Sequence, residues 1–184
     1  MEAVADATQP AHLTLGEWAV LGLLSGGSLH AFALVKATAP DGELGRVWSV
    51  PTPVVYRAVD SLRRKSLIEP RGDERSDAGP PRRLLGITPQ GQSVLHAWLA
   101  TPVEHMRDVR SHLLLKLALA TRLQQDCQPL VRAQIAVFAP LLDALEHRAA
   151  AAPVGFDRTL AHWRLESARG VMRFLDGLAQ QSPA

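Results

Sequence analysis

Residues 49–70 read SVPTPVVYRAVDSLRRKSLIEP, and the spacing of side chains within this run decides the fold. Val55, Ala58, Val59 and Leu62 recur at i, i+3, i+4 and i+7, which predicts a short amphipathic helix with one stripe turned to a core. Thr52 is the expected N-cap, and Pro53 suits the first helical position, where a missing N–H costs nothing. The opposite face carries Thr52, Pro53, Tyr56, Arg57, Asp60, Arg63 and Arg64, with Lys65 at the end. Basic side chains at a helix C-terminus also favour the macrodipole, so the run alone is equally a solvated surface helix. Its neighbours decide between the two.

Upstream, Thr14-Leu15-Gly16-Glu17 has capping-box spacing and opens a helix through Leu24. Gly26-Gly27 ends it, Ser28 is the expected cap of a second helix through about Thr38, and Pro40-Asp41-Gly42 closes that one. Downstream, LIEPRGDERSDAGPPRRLLGIT (67–88) predicts a hairpin with short strands and a long tip. Thr88-Pro89 then repeats the cap-plus-proline start, for a fourth helix through about Ala100. Three helices followed by a hairpin define a mainly α, winged helix-turn-helix layout, whose third helix suits the major groove of double-stranded DNA. Arg57 is placed to read a base edge with its planar fork. Tyr56 suits a phosphate or sugar, and Arg63, Arg64 and Lys65 suit phosphates. In the hairpin, Arg82 and Arg83 follow the stiff Pro80-Pro81 pair, the better-placed cations of a wing whose tip is diluted by Asp73, Glu74 and Asp77.

Thr101-Pro102 marks a seam. The expected organisation is a disordered tail over 1–12, a winged helix-turn-helix domain over 13–100, and a helical dimerisation domain over 101–184. From Asp108 onward the pattern is helical, with breaks near Gln125–Pro129 and Ala152–Gly155. Val131, Ile135, Phe138, Leu142 and Leu145 form one heptad-like seam, and Leu160, Trp163, Ser167, Val171, Phe174 and Leu178 another. Such seams want a partner helix. Pro140, inside the first, is expected to kink or split its helix.

The 184 residues are 47% hydrophobic and 21% charged, a globular composition with room for one medium or two small domains. Net charge is only +2, but between Arg46 and Arg83 nine basic residues face five acidic ones, which leaves the remainder at −2. The basic excess is therefore local to the predicted DNA face. The single cysteine, Cys127, has no disulfide partner, and the acidic MEAVADATQP start lacks the basic and apolar runs of a signal peptide, so a cytoplasmic location is expected. Trp18–Val35 is uncharged, but Ser25-Gly26-Gly27-Ser28 cuts it below membrane-span length. His105, Asp108 and His112 share a helix face only if one helix runs through all three, and no second cluster completes a metal site. Neither a G-x-S-x-G elbow, a phosphate-binding loop nor a dinucleotide fingerprint is present, so no catalytic residue, cofactor or metal is expected.

The segments LTLGEWAVLGLLSGGSLHAFALVK, VYRAVDSLRRKSLIEP, GPPRRLLGITPQGQ and VEHMRDVRSHLLLKLAL together resemble the PadR-like transcriptional regulators, in the family's order, across roughly residues 13–123. The resemblance implies a cytosolic homodimer, usually a repressor, that binds a pseudo-palindromic operator and dimerises through C-terminal helices. It places Tyr56 on the tyrosine of the recognition helix and Gly79–Arg83 on the basic wing strand. Some members bind flat aromatic effectors near the dimer centre, which points to Trp18 and Trp98 as effector-binding residues. Two positions depart from the family pattern: Pro53 stands where a small residue is usual, and Phe32 where a tyrosine is common. The alternative reading is a helical protein-interaction module that uses the winged-helix shape without DNA.

Overall fold

A computed structural model describes residues 13–76 and 79–181. The expected tail 1–12 and the hairpin residues Asp77 and Ala78 lie outside the described residues. The chain divides into two compact units, the first ending at Trp98 and the second beginning at Leu99.

The first unit begins with α1 (Leu15–Ser25), opened by the expected capping box: Thr14 Oγ1 accepts from the Glu17 N–H at 3.3 Å, and Glu17 Oε2 from the Thr14 N–H at 2.7 Å. Residues Gly16–Leu24 are all buried. A helix apolar on every side belongs at the centre of its unit, and α1 is packed by α2 (Ala31–Thr38) and α3 (Thr52–Arg64). Val55, Ala58, Val59 and Leu62 face that core, as their spacing requires.

Two expected caps are displaced. Ser28 does not cap α2; His30 does, its Nδ1 accepting from the Ala33 N–H at 3.0 Å. Leu29 and His30 form a short strand, β1, paired antiparallel with β3 (Gly79–Ile87), and this long-range pairing fixes where the helix starts. Thr52 is not the N-cap of α3 but its first helical residue: Pro51 occupies the cap position, and no side chain caps this end. Pro53 therefore falls one position further in than expected, still within the first turn, where no backbone donor is required.

The hairpin strands are longer than expected. β2 (Ile68–Ser76) and β3 (Gly79–Ile87) have nine residues each, in a sheet of order β1-β3-β2. The register shifts between Pro70 and Gly72 and again between Glu74 and Ser76. The second shift lies opposite Pro80-Pro81, which have no N–H to place in the ladder. Thr88 then caps α4 (Pro89–Ala100) as expected, its Oγ1 accepting from the Gly91 N–H at 3.1 Å.

The second unit runs through a 3-10 turn (Met106–Asp108) and a π turn (Val109–Leu113) into α5 (Leu114–Arg122). Two 24-residue helices follow, α6 (Gln128–Ala151) and α7 (Phe156–Ala179), packed on each other. Pro140 does not split α6, which runs unbroken across it. Gly155 reverses the chain at φ 116°, a conformation that favours glycine. Val103, Val109, Leu113, Leu130, Phe138 and Leu175 make the core. Gln134, fully buried, clamps the backbone of Val103: Nε2 donates to its carbonyl at 2.8 Å and Oε1 accepts from its N–H at 2.7 Å. Of the seam expected for α7, Val171 packs against this core, but the fully buried line is a different one. Leu165, Ala168 and Leu175 are buried, whereas Trp163 and Phe174 are 66% and 40% exposed.

Candidate nucleic-acid interface

With one stripe of α3 committed to the core, its opposite face is open: Thr52, Pro53, Tyr56, Arg57, Asp60, Arg63, Arg64 and Lys65 are all exposed. The helix ends in a Schellman turn. Ser66 adopts φ 57°, and the Leu67 N–H bonds back to the Leu62 carbonyl at 3.0 Å. This turn leads the chain directly into β2, so the basic C-terminal end of α3 and the hairpin are joined by a fixed, short connection.

The cations of this surface differ in availability. Arg57, Arg63, Arg64 and Arg83 have no side-chain hydrogen-bond or ion-pair partner among the described residues. Arg71 is turned back onto the hairpin, pairing with Glu69 at 2.9 Å and donating to the Ile87 carbonyl at 3.2 Å. Lys65, expected to reach a phosphate, instead holds Glu17 Oε1 at 2.6 Å. Arg82 lies 5.9 Å over the ring of Phe32, itself 60% exposed. Its Nη1 also lies 3.4 Å from His30 Nε2. Because Nδ1 of that ring accepts from Ala33, the neutral ring carries its proton on Nε2 and cannot accept there from Arg82; the cation–π contact is the favourable one.

Sequence reasoning missed this last group. The link between His30, Phe32 and Arg82 depends on β1 pairing with β3, and two residues of strand leave no periodicity to detect. The chemistry of the surface is nonetheless uniform: planar guanidinium forks and an exposed phenol on one rigid helix, flanked by a β-ribbon with further guanidinium groups. Such groups donate in pairs to phosphates and to guanine edges.

Trp18 and Trp98 stack face to face, centroids 4.4 Å apart and planes 8° from parallel. Trp18 is buried and Trp98 half-buried. No group of three histidine, cysteine or carboxylate side chains is placed to hold a metal among the described residues. None of their helices is long and apolar enough to cross a membrane.

No protein-family model matches the chain, and no curated protein does. Among solved structures, the chain is similar to Bacillus subtilis PadR in complex with operator DNA, with 21% identity and a TM-score of 0.45 over 89% of this chain and 95% of that one. The same protein in complex with p-coumaric acid gives 21% identity and a TM-score of 0.41 over 90% and 93%. The protein smu.1604c from Streptococcus mutans UA159 gives 15% identity and a TM-score of 0.42 over 90% and 99%.

Proposed function

We propose that this chain is a PadR-like transcriptional regulator: a cytoplasmic homodimer that binds a pseudo-palindromic DNA operator as a repressor and is released by a small aromatic effector. The observation that carries the reading is the open basic face of α3, where Arg57, Arg63 and Arg64 have no partner among the described residues while the opposite face is locked into the core. Thr52, Tyr56 and Arg57 face the base edges and adjoining backbone, Arg63 and Arg64 the phosphates, and Arg82 and Arg83 the flanking duplex from the wing. Two copies of α3 would enter successive major grooves about 34 Å apart. Dimerisation is assigned to the second unit, where exposed Trp163 and Phe174 lie eleven residues, three helical turns, apart on one face of α7. The effector is assigned to the Trp18–Trp98 pair, whose half-buried Trp98 presents a flat aromatic wall.

The test is fluorescence anisotropy with the promoter beside the chain's own gene across a salt series. Arg57→Ala is expected to relax discrimination against a mismatched operator, by about 1–3 kcal/mol per base pair read. Arg63→Ala is expected to weaken all sequences alike and to reduce the salt slope of the dimer by about 1.8. An aromatic acid should release the DNA and quench tryptophan fluorescence, with both effects reduced in Trp98→Phe. Binding indifferent to sequence and salt would instead favour a protein-interaction module.

A further inference from the structure

One carboxylate reaches both ends of the helix-turn-helix scaffold. Glu17, in the first turn of α1, has a side chain only 5% exposed. Oε2 accepts from the Thr14 N–H at 2.7 Å and closes the capping box, while Oε1 lies 2.6 Å from the ammonium of Lys65, at the last turn of α3. Burial opposes ionisation of this carboxyl, but bonds from Lys65, the Thr14 backbone, Ser61 and the Thr14 hydroxyl outweigh it and hold it below the ordinary glutamate range. Lys65 is 37% exposed, so its ammonium is near solvent yet spoken for. Its neighbours Arg63 and Arg64 point outward without partners among the described residues.

For Lys65 to meet a DNA phosphate, its ammonium must leave Glu17. That would strand a buried carboxylate without its counter-charge, a larger loss than one exposed phosphate contact returns. We propose that Glu17 is a positioning residue that withholds Lys65 from DNA, fixing the C-terminal end of α3 to the first turn of α1 and lowering by one the number of phosphates each protomer neutralises. The proposal rests on the DNA-binding reading above. Its consequence is a lower sequence-independent share of affinity, because that share scales with phosphates neutralised. The cation at position 65 serves the geometry of the reading head, and the arginines serve the contact.

The test measures operator affinity by anisotropy between 50 and 200 mM salt for the full chain and three variants, each checked for folding by circular dichroism and thermal melting. Glu17→Gln keeps an acceptor for the Thr14 N–H but frees Lys65 in both protomers, so the plot of log K against log salt should steepen by about 1.8, an additional loss of about twelvefold across that range. Lys65→Ala should keep the slope of the unaltered chain. The double variant should return to that slope, which excludes a general effect of removing an acidic charge. A slope flattened by about 1.8 in Lys65→Ala, or an unchanged one in folded Glu17→Gln, overturns the proposal; if Glu17→Gln does not fold, Lys65→Ala alone decides. A sloped, salt-sensitive response from the unaltered chain with unchanged variants sinks only the role of Glu17, whereas no salt-sensitive binding at all sinks the DNA reading and this proposal with it.

Discussion

Lys116 is 2% exposed and carries an ammonium that donates to the Thr101 carbonyl at 2.6 Å. Burial lowers it from 10.5 to about 8, so between those values the folded chain binds fewer protons than the unfolded one. Stability must then rise with pH across that window, by at most about 1.4 kcal/mol per pH unit. Urea unfolding at pH 7.5, 9 and 10 should show this rise, and Lys116→Met should flatten it; an equal rise in both would show that other groups cause it. Glu17 changes stability in the same direction at lower pH, its contribution complete above 4.5 and lost as the pH falls through its lower folded value. The sequence announces Glu17 through its capping-box spacing but not Lys116. Lys116 follows Leu113-Leu114-Leu115 in a helical run where a lysine reads as solvent-facing, and only packing of the unit encloses it.

At the scale of elements, what was legible was local. The Thr14–Glu17 and Thr88 caps, the stripe of α3 and the breaks around α6 each depend on side chains within one or two turns of one another. The misplaced features depend on distant strands or helices. His30 displaces Ser28 because β1 must meet β3. In α7 two apolar lines compete, one through Leu160, Trp163 and Phe174 and one through Leu165, Ala168 and Leu175, and the surface of α6 selects the second. Periodicity alone counts both. The end of α3 at Lys65 was legible but its turn geometry was not, since the left-handed residue is Ser66 where glycine is usual. Ser66→Gly should therefore stabilise the first unit by about 0.5–1 kcal/mol in denaturant unfolding, relieving a conformation unfavourable to a Cβ. A loss of stability would mean that the backbone entropy of the added glycine outweighs that relief.

For the whole molecule, the open face of α7 and the open face of α3 belong to different units, so the proposed function separates self-association from DNA contact in sequence. Trp163→Glu combined with Phe174→Glu should convert a dimer to a monomer in sedimentation velocity, and operator affinity should fall by about 10²- to 10⁴-fold as the two half-sites become independent. An unchanged sedimentation coefficient would place the dimer contact elsewhere. The hairpin raises a further matter, because β2 is the edge of its sheet. A free edge is a template on which foreign strands grow into aggregates. Here Pro70 carries no backbone donor, the register breaks beside it, and Glu69, Arg71, Asp73 and Glu74 line the strand with charges of both signs. The hairpin therefore offers an incoming polypeptide no continuous ladder, and an arm that the proposed function leaves uncovered is protected from polymerising with its own kind.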